Sequence, residues 1–120
     1  MNSVNSRVLV VIGLLMLAAC LNNDKIFGRL RGKYKDDVIR GATEAGRTKD
    51  TIFVPELLKN ADDPRVSTNI DFYGVSVYQA KMEALEEIFQ KSPPNKITYR
   101  PDSRVIKFYS ELAKLAYQSK

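Results

Sequence analysis

Apolar and polar positions divide the chain into four regimes. Val8 to Ala19 is apolar almost throughout and is preceded by a single positive charge, Arg7. Residues 21–49 mix apolar, basic and glycine positions, with Gly28, Gly32, Gly41 and Gly46 interrupting any long repeat. From Ser76 the pattern becomes helical. Val77, Tyr78, Met82, Leu85, Ile88 and Phe89 gather on one side at helical spacing, and Glu83, Glu86, Glu87 and Gln90 on the other. Ser76 and Gln79 have the spacing of a capping box, so this helix is predicted to run to about Lys91.

Shorter signals flank that helix. Pro55 suits an early helical position, with Glu56 near the positive helix end and Leu57, Leu58 and Ala61 facing a core. Asn60 to Pro64 ends this segment. Residues 65–75 are ambiguous between an extended connection and an irregular helix, closing at Gly74. Ser92-Pro93-Pro94-Asn95 turns the chain, and Lys96 to Tyr99 is predicted extended. Asp102 or Ser103 then caps a last helix over about 104–118. Its apolar residues cover about 200° of the helix at 100° per residue. We expect it to be the domain's central helix; the alternative is that Phe108, Tyr109, Leu115 and Tyr117 contact a partner. Lys81, near the apolar side of the preceding helix, is expected to lay its stem on the surface and its amine in water.

Together these patterns predict a mainly α chain: a small helical domain of about three helices over 50–120, following a signal peptide and a flexible tether. Arg7 to Cys20 has the layout of a secretory signal, because its apolar run is too short to cross a bilayer comfortably. Leu17-Ala18-Ala19-Cys20 resembles the lipobox of bacterial prolipoproteins. The resemblance implies removal of residues 1–19, a diacylglyceryl group on the Cys20 thiol, and acylation of the new amino terminus. It further implies a lipid-anchored place in the bacterial cell envelope. Leu21 is unlike the aspartate retention signal, so in a diderm the expected site is the outer membrane, facing the periplasm. PELLKNADDPRV and MEALEEIF have a faint likeness to one HEAT or armadillo repeat, but the spacing is too long and no second copy follows. No family is assigned to the mature domain.

Charge sharpens the division. The chain carries +5, of which residues 21–49 hold eight basic and four acidic side chains, whereas residues 50–120 hold ten of each. Positive charge therefore lies beside the anchor. Residues 20–49 are expected to act as a basic tether, or alternatively as a helix lying on lipid. Phe27, Arg29, Leu30, Arg31, Lys33, Tyr34 and Lys35 are its candidate membrane contacts. Nucleic acid is not an expected partner, since no basic face interleaved with aromatics is evident.

Candidate chemistry is sparse. There is no histidine and only one cysteine, so Cys-His pairs, disulfides and soft metal sites are excluded. Gly41 to Gly46 lacks the Lys-Ser or Lys-Thr of a phosphate loop. The acidic pairs Asp62-Asp63 and Glu83-Glu87 suit a turn and a solvated helix face. We expect no enzyme, metal or cofactor. The expected role is an anchored envelope protein that binds a protein partner, self-associates or supports an assembly; direct contact with lipid or cell wall is the alternative.

Overall fold

The computed structural model describes residues 22–118. The expected signal peptide, residues 1–19, and Cys20 lie outside the described residues. The chain is helical over residues 22–30 (α1), then forms α2 (Lys35–Thr48), α3 (Val54–Leu58), α4 (Val77–Phe89) and α5 (Ser103–Gln118). Short 3-10 turns, Thr51–Phe53 and Ile70–Phe72, precede α3 and α4.

Five α-helices among the described residues replace the three expected, and two of them occupy the stretch expected to be a flexible tether. The reason lies in the glycines. A Cβ on Gly41 would stand 2.9 Å from Arg29 Cβ and 3.0 Å from Leu30 N, so Gly41 is where α1 and α2 cross closely. Gly46 does the same between α2 and α4. Each glycine costs about 1 kcal/mol of helix propensity. That cost is offset by burial of Val38 and Ile39, each side chain worth about 1.5–3 kcal/mol when removed from water. Ile26 and Leu30 of α1 belong to the same core.

α4 is the central helix, correcting the expectation for α5. Val77, Tyr78, Ala80, Lys81, Met82, Ala84, Leu85 and Ile88 are all buried, and α2, α3 and α5 each pack against it. Ser76 caps α4, its Oγ accepting from Gln79 N at 3.0 Å. The other half of the expected box does not form, because the Gln79 side chain donates to Glu83 instead. α5 buries only Val105, Tyr109 and Ala113, one residue per turn. α2 and α5 therefore flank α4 without substantial contact with one another.

Candidate interaction surface

Four-residue spacing sends Val105, Tyr109 and Ala113 inward and leaves the next stripe of α5 outside. Phe108, Leu112 and Leu115 form a shallow, open apolar stripe along α5, with Phe108 and Leu112 half-buried against the core; Arg104, Lys107 and Glu111 flank it, and Arg104 is paired with Asp102 at 3.5 Å. Leu115 is 63% exposed. Of the four residues of the alternative partner-contact reading, Phe108 and Leu115 share this stripe, whereas Tyr109 is core. Its hydroxyl donates to Lys91 O at 2.8 Å, its ring stacks on Phe89, and Phe108 meets it edge-on. Burial pushes the Tyr109 phenol well above its ordinary value, so the hydroxyl stays protonated. Tyr117 faces a separate small hollow with Thr51, Val54 and Phe89.

The candidate membrane contacts separate in the same way. Leu30 is buried, and Phe27 packs against Phe53 with ring centroids 4.8 Å apart. Arg29 pairs with Glu44. Arg31 pairs with Glu56 at 2.9 Å and lies over the Phe27 ring. Lys35 opens α2 and is half-buried. Lys33 and Tyr34 face solvent, with the amine 5.3 Å from the ring centroid. Two of the four basic candidates, Arg29 and Arg31, therefore hold the α1 end of the chain against α2 and α3.

A buried polar knot joins these elements. Lys81 does not reach water: it is 4% exposed, and its Nζ donates to Lys59 O at 2.6 Å. Burial lowers its pKa, and the nearby Asp63 and Glu56 carboxylates oppose that shift. Glu56 accepts from Arg31 and from Lys59, and Asp63 accepts from Arg65. Arg65 also donates to Lys33 O at 2.8 Å, tying the α1–α2 turn to the chain after α3. The Lys81 amine is thus held inside the fold, which makes it a clasp between α4 and the end of α3. The Tyr78 hydroxyl is also buried; it makes no hydrogen bond of ordinary geometry, and the backbone of Asp102 faces it. Among the described residues no group of three or more His, Cys, Asp or Glu is placed to hold a metal ion, and no helix is long and apolar enough to cross a membrane.

The most exposed apolar residues lie in the segment that sequence periodicity left ambiguous. Ile70 is 92% exposed and Tyr73 77%. Their loop is nonetheless tightly organised. Ser67 N–H donates to Val75 O, Gly74 N–H to Ser67 O, and Val75 N–H to Phe72 O. Ser67 Oγ accepts from Asn69 N, and Asn69 Oδ1 from Asp71 N. Gly74 takes φ +81°, the left-handed conformation that suits glycine. Arg40 of α2 lies over the Phe72 ring at 5.2 Å and 3.7 Å from the Asp71 carboxylate. The signal in the sequence was Asn69 followed five residues later by Gly74: a turn-former at each end of Ile-Asp-Phe-Tyr.

No family model matches the chain, and no significant match to a curated protein or a solved structure was found.

Proposed function

We propose that this protein is a lipid-anchored envelope protein that works by binding protein, with Cys20 as the acylated residue. The observation that supports protein binding is an apolar stripe on α5 that runs from the edge of the core to a largely exposed leucine. Tyr109 closes the core, and on the next face of α5 the half-buried Phe108 and Leu112 continue into the exposed Leu115 as a shallow apolar stripe. Exposed apolar groups edged by charge are the usual form of a protein-docking surface. Direct contact with lipid is the second reading; Tyr34, 64% exposed beside Lys33, is the observation that favours it.

Two measurements test the proposal. Intact mass of membrane-fraction protein should show an amino terminus at Cys20 with added acyl mass, and Cys20→Ser should abolish it. An uncut or unmodified chain overturns the anchor. A photo-crosslinking residue placed at Leu115 should give a discrete protein adduct that the same residue at exposed Lys91 does not give. Equal labelling from both positions overturns the docking surface.

A further inference from the structure

We infer that the domain sits on the bilayer with one face fixed: Arg47, Lys49 and Ile52, where α2 passes into α3, and Tyr117, at the end of α5, rest on the lipid headgroups. This deepens the anchored reading above and rests on acylation of Cys20.

Contacts of α1 with its neighbours put this face beside the start of α1. Phe27 meets Phe53, and one turn later Arg31 meets Glu56, so the chain entering α3 runs alongside α1 in the same direction. Followed backwards, Asp50 to Ile52 comes alongside the first turn of α1. The register of α2 agrees. Gly41 meets Leu30 and Glu44 pairs with Arg29, so α2 runs back along α1 and ends near that same point. The hollow that Tyr117 shares with Thr51 and Val54 brings the end of α5 there as well. Cys20 is two residues before Asn22, and two residues of chain reach no farther than about 7 Å. Acyl chains on Cys20 therefore hold this end of the domain at the membrane, and not the α1–α2 turn.

The chemistry of the two ends differs in the same sense. Ile52 and Tyr117 are each about half exposed, an apolar side chain and an amphipathic one of the kind that settles at headgroup level. Arg47 and Lys49 are exposed and pair with no acid among the described residues. The one acid between them and Ile52 is Asp50, whose carboxylate accepts from Ile52 N at 3.0 Å. The segment thus keeps a surplus cation, which anionic headgroups attract. The far end has no such surplus. Lys33 and Lys35 are followed by Asp36 and Asp37, and Arg31 and Arg65 are held by Glu56 and Asp63.

The test uses the full acylated chain in vesicles of phosphatidylethanolamine and phosphatidylglycerol that contain a lipid with a nitroxide on its headgroup. Ile52→Cys, Tyr117→Cys, Tyr34→Cys and Ile70→Cys are made singly and labelled with an environment-sensitive fluorophore, and each is checked for a wild-type unfolding transition. Labels at positions 52 and 117 should lose fluorescence to the nitroxide, and labels at 34 and 70 should keep it. Exposure alone would favour Ile70, the most exposed apolar residue of the four positions, so the contrast reads orientation. Equal quenching everywhere overturns the inference. Quenching at Tyr34 in place of Ile52 also overturns it, and returns lipid contact to the α1–α2 turn. Intact mass of the same samples reports the anchor separately: an unmodified Cys20 overturns the anchor and this orientation with it, whereas an acylated chain without the contrast overturns the orientation alone.

Discussion

A Cβ on Gly46 would stand 3.0 Å from Ala84 Cα, a backbone atom of the central helix that cannot turn aside. α2 and α4 meet here closely, with the Ala84 methyl and the Glu87 carboxylate also within 3.3 Å of that Cβ position. Gly46→Leu should therefore force the helices apart and destabilise the domain by about 1–3 kcal/mol, the usual cost of overpacking. Urea unfolding measures it, and an unchanged midpoint would disprove the close crossing.

Gly28 gives the opposite sign. It lies within helical residues 22–30, and an added Cβ would meet nothing within 4 Å. Gly28→Ala should raise stability by about 0.5–1 kcal/mol through helix propensity alone. If residues 22–30 were an unstructured spacer, the substitution would leave the unfolding curve where it was. The pair of glycines thus probes both corrected elements, α1 and α2, independently of any binding assay.

Lys81 predicts a pH dependence. Its folded pKa lies below the ordinary 10.5 because burial penalises the ammonium. Between the folded value and 10.5 the unfolded chain binds more protons, so stability rises with pH across that window. The Tyr78 and Tyr109 phenols, pushed above their ordinary 10.0, oppose this only at higher pH, where the unfolded chain ionises first. Urea midpoints measured from neutrality to pH 10 should climb in the wild type and flatten in Lys81→Met. Parallel slopes would remove Lys81 as the cause.

Glu56 shapes the acid side together with Asp63 and Asp102, whose carboxyls are likewise held below their ordinary values. Burial raises its pKa, but hydrogen bonds and charge from Arg31 and Lys59 outweigh burial and hold it below the ordinary 4.5. Its contribution is complete above 4.5 and is lost as pH falls through the lowered folded value. Glu56→Gln should cost about 1 kcal/mol at neutral pH, since both cationic partners are themselves largely solvated. The acid limb of the stability profile should become shallower in the same variant.

Ser76→Ala removes the acceptor of Gln79 N at the start of α4 and should cost about 1 kcal/mol. Thermal unfolding reads it directly. Restoration by Ser76→Asp would separate lost capping from loss of a buried hydroxyl.

The parts of the fold legible in the sequence were those stated by local chemistry. Ser76 announced α4, Ser92 to Asn95 its end, and the apolar spacing announced α5. Residues 22–49 were misread because glycine was weighed as a helix breaker. Its other use appears only when Gly41 is set against Arg29 and Leu30, and Gly46 against Ala84, contacts between residues distant in sequence. One signal was available: Gly41, Ala42, Ala45 and Gly46 repeat at helical spacing, as do Ala80 and Ala84, so two small-residue stripes could have been matched. Lys81 was misjudged for a related reason. Its hydrogen-bond acceptor, Lys59 O, is a backbone carbonyl, which a side-chain pattern does not display. On α5, the width of the apolar arc pointed to more apolar surface than one face could bury, and the exposed Leu115 lies on it; Ile70 and Tyr73 obey no period because their loop has none.

The early start of the fold sets the protein's reach. Ile26, already in the core, is only six residues from the proposed acyl site at Cys20. Six residues of chain, four of them along α1 at about 1.5 Å each, cannot reach beyond roughly 13 Å. A flexible spacer through residue 49 would instead have let the domain wander about 30 Å from its anchor. With acyl chains on Cys20, the domain rides at the headgroups like a boat on a short mooring. Its neighbours would then meet it in two dimensions, where a modest affinity suffices because local concentration is already high.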